Sequence, residues 1–275
     1  YLPLALGIIG ESIIAVLEFI KGETLGLWIL GERAFSISTP GIAKFDFHGW
    51  QFLRPYATFS HPNVLAGFML VTLMLVSFWG AKRPQNLKRK DSGQARMTLL
   101  VTTALAGLTI FLTMSRVVIL AGVVPLALIM KRKWLIFMII IFLATSPILF
   151  TRFFSLFNFD NLALLRREEL IGSAWQIFLK HPIFGVGLNN FIPTIASDLT
   201  IGPSRFLQPV HNVVLLTLAE TGLMGLVGLI GLIGYSIKFM VYGLWVRKNL
   251  RLRYTILLPW LIIFFLGMFD HYFLT

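Results

Sequence analysis

Apolar runs of bilayer length, joined by clusters of lysine and arginine, constrain this chain more than any other feature of its sequence. The runs lie at about 2–20, 62–80, 97–114, 117–130, 134–150, 212–246 and 255–274. A helix of about twenty apolar residues crosses the hydrocarbon core of a bilayer, and only helices or closed barrels satisfy every backbone group there. The runs lack the polar faces that a water-soluble core of this size would show at helical or strand period. Only 13% of the residues are charged and 57% are hydrophobic, against about 25% charged in ordinary soluble domains. The expected fold class is therefore all-α: a polytopic transmembrane helical bundle of about seven spans, forming a single membrane domain over 1–275.

The net charge of +12 would suit a nucleic-acid binder, but its distribution argues for a membrane. Lys82, Arg83, Lys88, Arg89, Lys90 and Arg96 form one cluster, Lys131, Arg132 and Lys133 a second, and Arg247, Lys248, Arg251 and Arg253 a third. Each joins two apolar runs, as the positive-inside rule requires of cytoplasmic loops. Anionic lipid head groups, rather than nucleic acid, are the expected partners of these clusters. With all three in the cytoplasm, the loops 21–60 and 151–211 face outward. The absence of cysteine excludes disulfides, thiolate nucleophiles and Cys-ligated zinc. The first residue is not Met, and the sequence is expected to be a piece of a longer chain.

The loop 151–211 is too long for a plain connector. Between Arg166 and Lys180, Leu170, Ala174, Ile177 and Phe178 recur at helical spacing, which predicts an amphipathic helix at the outer interface. His181-Pro182 ends it, and Gly185-Val-Gly187-Leu-Asn-Asn190 predicts a turn. The run 212–246 exceeds one bilayer width, so it is expected to tilt, to bend at its glycines, or to project from the membrane.

Polar residues in such a chain each need a reason. Pro62 and Asn63 mark a helix start, with Ser60 or His61 as its cap. Arg54, just upstream, is either an interfacial anchor or a bidentate ligand for phosphate. Arg116 follows Ser115 in a tight hairpin between two runs and carries the same two readings. Arg166 and Arg167 open the amphipathic helix, where one of them is a candidate anion ligand; Glu168 and Glu169 beside them suit the first turn of a helix dipole. His211 is the best candidate general base, with Asn212 orienting it or binding substrate, and a helix cap as the bland alternative. Glu220 falls within an apolar run, where an ionisable group is functional or paired; Asp270-His271 carries a weaker form of the same argument. Metalloprotease, Walker and dinucleotide motifs are absent from the sequence. Outward arginines with one histidine suit an anionic, phosphorylated substrate and metal-free chemistry.

These residues also form a pattern. His211-Asn212, nine residues, then Gly222-x-x-Gly225 resembles the signature of the O-antigen ligase and polymerase superfamily of bacterial membrane glycosyltransferases. Arg54 with Phe59-Ser-His-Pro-Asn63 resembles that family's arginine and Pro-Asn helix start, although His61 stands where the family has Asn or Gly. Thr113-Met-Ser115-Arg116 resembles its Ser-Arg hairpin, Arg167 through Phe191 its large outer loop, and Asp270-His271-Tyr272 its ending. The resemblance covers about 50–275. It implies a GT-C-like fold of ten to twelve spans in the bacterial plasma membrane, with the active site facing outward. It implies an undecaprenyl-diphosphate-linked glycan as donor, and lipid A core, a glycan or a protein as acceptor. Transfer would be inverting, with no metal or other cofactor. His211 would be the general base; Arg54 and Arg167 would bind the diphosphate, Arg167 matching by its spacing to His181-Pro182. Arg116 would be a third cation, with Arg166, Asn212 and Glu220 near the substrate. The same motifs serve ligases, polymerases and protein O-oligosaccharyltransferases. A transporter for an anion or a lipid-linked sugar is the alternative from another class.

Overall fold

The computed structural model describes residues 2–47, 49–80, 89–129, 140, 162–196, 208–246 and 250–269. They contain eight α-helices and one two-stranded hairpin. The chain divides into two compact units, Tyr1–Ser155 and Leu156–Thr275.

In the first unit, α1 (Leu2–Lys21) packs with α2 (Pro62–Gly80) and α3 (Arg89–Thr113), and α4 (Arg116–Ile129) packs on α2 and α3. Two of these helices are inside-out relative to those of soluble proteins. On α1 the buried stripe is Ala5, Ile8, Ser12, Ala15 and Glu18, while Leu6, Ile13, Leu17 and Ile20 are exposed. On α3 the buried stripe is Thr102, Ala106, Thr109 and Thr113, while Met97, Leu100, Val101 and Leu108 are exposed. Small and polar side chains between helices, with large apolar ones facing out, are what lipid selects: backbones approach closely, and the outward face needs no polar cover. The Thr102 hydroxyl donates to the Thr98 carbonyl at 2.8 Å, so its polarity is absorbed within the helix.

Among the described residues, Leu2–Lys21 and Val213–Lys238 are long and apolar enough to cross a membrane; Pro62–Ser77, Met97–Thr113 and Leu257–Phe269 are shorter apolar segments. The helices match six of the seven expected runs in place. Apart from Ile140, the run 134–150 lies outside the described residues, as do the pair Asp270-His271, Lys82, Arg83, Lys88, the whole 131–133 cluster, Arg247 and Lys248.

The segment between α1 and α2 is more structured than a connector. Strands β1 (Lys44–Phe47) and β2 (Trp50–Leu53) pair antiparallel, with Phe45 opposite Phe52. Both rings stack near Phe19 of α1, at centroid distances of 6.3 and 5.8 Å. This departs from the all-α expectation; aromatics at period two close a short ladder once a helix supplies a surface to cover. Further carboxylates of the unit bind backbone amides. Glu18 accepts from the Tyr56 and Ala57 amides, both at 2.8 Å, and Glu11 accepts from the Thr58 hydroxyl at 2.7 Å. Glu32 accepts from the amides of Leu25, at 2.6 Å, and Leu27. Burial pushes the Glu32 pKa up, but the amides of Leu25, Leu27 and Gly26 outweigh it and hold the group below its ordinary 4.5.

In the second unit, α5 (Leu162–Lys180), α6 (Phe191–Ala196) and α8 (Leu250–Phe269) all pack on α7 (Val213–Val246). The expected face of α5 is the buried one: Leu170, Ala174 and Ile177 meet Phe191, Ile195, Val210, Leu216 and Ala219. Each fully buried Leu, Ile or Phe contributes about 1.5–3 kcal/mol. The helix begins earlier than expected, at Leu162, so Glu168 and Glu169 lie beyond the first turn and the dipole argument for them does not hold.

The long run 212–246 is broken. Gly222 has φ 65° and ψ −160°, a region open essentially to glycine alone. An unbroken helix would bond Leu223 to Ala219 and Met224 to Glu220. Here the Leu223 and Met224 amides donate to the carbonyls of Pro182 and Ile183, at 2.8 and 3.2 Å. The Ala219 and Glu220 carbonyls accept from Val186 and Gly187, at 3.1 and 2.7 Å. The turn after α5 is thus stitched into the break, bond for bond. A Cβ on Gly222 would overlap the Ile183 carbonyl, and a Cβ on Gly185 the Glu220 carbonyl. Gly225 needs smallness for a local reason: its Cβ would strike the Thr221 side chain, which donates to the Thr217 carbonyl at 2.7 Å.

Two outcomes follow for stability. Gly222→Ala or Gly185→Ala should destabilise by about 3 kcal/mol or more, since backbone strain of order 1–3 kcal/mol adds to the overlap. Gly228→Ala, where a Cβ would meet nothing within 4 Å, should leave the melting temperature of the purified protein unchanged or slightly raised. The second outcome concerns acid. A depressed carboxylate pKa contributes stability above the ordinary value of 4.5 and loses it as pH falls through the folded-state value. Melting temperatures recorded from neutral pH down to about pH 3 should fall less steeply for Glu32→Gln than for the unaltered chain.

Candidate functional site

The candidate residues fall in both units, and each group is built by its own elements. In the first unit Arg54 ends the hairpin, directly after Leu53 of β2, and is only 6% exposed. Its Nε donates to the Thr113 carbonyl at 2.5 Å, and an Nη nitrogen donates to Asn63 Oδ1 at 2.6 Å. Thr113 closes α3, where carbonyls lack helical partners and a cation is favoured by the helix dipole. Asn63 lies in the first turn of α2. One guanidinium therefore joins the hairpin, the start of α2 and the end of α3, and these bonds fix its plane.

Beside it, His61 caps α2, as its place before Pro62-Asn63 predicts: its Nδ1 accepts from the Asn63 amide at 3.2 Å. The hairpin between α3 and α4 is as tight as its sequence predicts. Met114 has φ 49°, and Ser115 accepts from the Ile119 amide at 3.0 Å. Arg116 opens α4 and is half-buried.

In the second unit His211 is held from both sides. Val210 before it is fully buried in the core. Asn212 after it caps α7, its Oδ1 accepting from the Leu215 amide at 3.0 Å. The Asn212 Nδ2 donates to the Met268 carbonyl near the end of α8, at 3.0 Å. The imidazole itself is partly exposed, with Nε2 at 3.2 Å from Gln208 Oε1. Fixed backbone on either side and a partly open ring suit a positioned proton acceptor.

Glu220 is buried, 6% exposed. Its Oε1 accepts from the Phe191 amide at 3.2 Å, and its backbone carbonyl takes part in the exchange at Gly222. This answers the puzzle of an acid in an apolar run: it pairs with the orphan donor that opens α6 and belongs to the scaffold of the loop. On α5, Arg167 and Glu168 are exposed and Arg166 is half-buried. Among the described residues, no three His, Asp or Glu side chains group as metal ligands would.

Asn63, the Thr113 carbonyl, Gln208 and Met268 were missed as parts of these arrangements. Asn63 was legible as a helix start, and its side chain does a second task for Arg54. Gln208 stands one helical turn's length before His211, but a lone amide in a loop carries no signal.

No curated protein gives a significant match to the chain. A family model described as O-Antigen ligase matches residues 101–230. The matched stretch takes in Arg116, Arg166, Arg167, His211, Asn212, Glu220 and both glycines of Gly222-x-x-Gly225; Arg54 precedes it. Over that stretch this helical chain is similar to the O-antigen ligase family, and the match supports membrane glycosyl transfer of the ligase or polymerase type.

Proposed function

We propose that the chain transfers a glycan from an undecaprenyl-diphosphate carrier to an acceptor hydroxyl on the outer face of the bacterial plasma membrane. The observation that carries this is the family match over 101–230, read together with the anchored, partly open imidazole of His211 within it. His211 accepts the proton of the acceptor hydroxyl as that oxygen attacks the anomeric carbon. The glycosyl–phosphate bond breaks, and the lipid diphosphate leaves with the bonding pair. Arg54 and Arg167 bind the diphosphate and stabilise its growing charge; Arg116 and Arg166 add to the positive field. Asn212 sets the position of His211 by capping α7, and Glu220 acts at one remove by holding the loop. Attack opposite the leaving group inverts the anomeric centre.

Lipid A core, a growing glycan and a protein are the acceptor classes. Ligase, polymerase and protein O-oligosaccharyltransferase differ in that acceptor and share the chemistry above.

The broken α7 invites the transporter reading, because transporters bind substrate at unwound helices. Here the four backbone groups at the break bond to the turn 182–187. In a transporter site those groups would face substrate, so their internal use favours the transferase.

Because His211 is partly exposed and Arg167 exposed, His211→Ala and Arg167→Ala should insert and fold normally yet abolish transfer from purified lipid-linked donor. Full transfer by both variants would falsify the assignment. Arg54→Ala discriminates less well, since it also unties three elements and should lower the melting temperature. Asn63→Ala, which keeps Arg54 but removes one charge-assisted bond, should reduce the transfer rate roughly ten- to a hundredfold, the equivalent of about 1.5–3 kcal/mol.

A further inference from the structure

The segment that follows α1 exposes three consecutive large apolar side chains. Trp28, Ile29 and Leu30 are 75%, 78% and 60% exposed and form a single 3-10 turn. The turn is held in shape. Gly31 closes it with a left-handed cap, its amide donating to the Trp28 carbonyl at 3.0 Å. Glu32 reaches back to the Leu25 and Leu27 amides. A bridge between Glu23 and Ser36 closes the base of the excursion, and Ile37 donates to the Gly22 carbonyl at 2.9 Å. Arg33 is tied to the Ser60 carbonyl. A loop this well braced does not fold its apolar tip inward; it presents it.

We propose that Trp28-Ile29-Leu30 is an interfacial anchor, inserted into the bilayer surface at the end where α1 leaves the membrane. The argument for lipid is continuity. The exposed apolar face of α1 runs through Ile13 and Leu17 to Ile20, which is 75% exposed one residue before the helix ends. The tip begins seven residues after Lys21, a reach of at most about 25 Å, so it stays close to the boundary that α1 defines. Tryptophan concentrates at that boundary because its ring is apolar and its N–H is not. Lys21 and Arg33 flank the tip in sequence and suit a layer of phosphate head groups.

The test uses the absence of native cysteine. Single variants Trp28→Cys and Leu30→Cys in the full chain carry a nitroxide label, and Ser38→Cys, exposed in the same segment, is the aqueous reference. In nanodiscs of phosphatidylethanolamine and phosphatidylglycerol, power-saturation EPR compares collisions with oxygen, which concentrates in lipid, and with a water-soluble nickel chelate. Both tip labels should show an oxygen-to-nickel ratio severalfold above that of Ser38. A ratio equal to that of Ser38 would place the tip in water and overturn the anchor. Labels shielded from both reagents would mean that protein, whether another copy or a partner, covers the tip, and would equally overturn it. The result does not depend on whether the chain transfers glycans.

Discussion

Two peptide hydrogen bonds that an unbroken α7 would keep within itself are made instead with the turn 182–187, and much of the second unit depends on that exchange. A break inside an apolar helix normally strands two donors and two acceptors, at a cost of several kcal/mol each in lipid. Here the turn supplies the complementary groups in register. The exchange requires backbones close enough that Gly185 and Gly222 have no space for a side chain. It also fixes what surrounds it: Glu220 is placed to receive the amide of Phe191. Before the break, Leu216 and Ala219 pack into the core; beyond it, Leu223, Met224, Val227 and Ile230 are exposed. One glycine thus separates the part of α7 that packs in protein from the part that presents an apolar surface.

Arg54 plays a comparable part in the first unit. The arginine that the family pattern assigns to anion binding is also the tie between β2, α2 and α3. These roles are compatible, because a guanidinium whose plane is fixed by a helix carbonyl and an amide side chain is preorganised for a planar, bidentate partner. Mutational data on this residue therefore mix folding with chemistry, whereas Arg167 and His211 offer a cleaner separation.

How much could be read from the sequence depended on the distance between partners. The buried face of α5 was legible because Leu170, Ala174 and Ile177 repeat with the period of their own helix. The start of α2 was legible because Pro62 acts through its own backbone. The order of apolar runs predicted six helices in place. The meaning of Gly222 was hidden, since its requirement comes from the Ile183 carbonyl on another segment. Glu220 stood out as an oddity, but its partner Phe191 is remote in sequence. The hairpin 44–53 went unread because four-residue strands in a polar loop give almost no periodicity, and their stability comes from Phe19 on α1. The two glycine motifs were each noticed; that they are two halves of one contact was not encoded in either.

The exchange at Gly222 also imposes an order on biogenesis. The turn 182–187 emerges from the ribosome ahead of its partner by a stretch of chain about as long as α7 itself. Until α7 arrives, the carbonyls of Pro182 and Ile183 and the amides of Val186 and Gly187 must be hydrated, so the turn has to wait in water or among head groups rather than in the hydrocarbon. Once α7 is threaded, its own broken bonds leave it no better option than to capture the waiting turn. This step of synthesis is thus a ratchet, in which a later helix completes an earlier loop and neither reaches its final state alone.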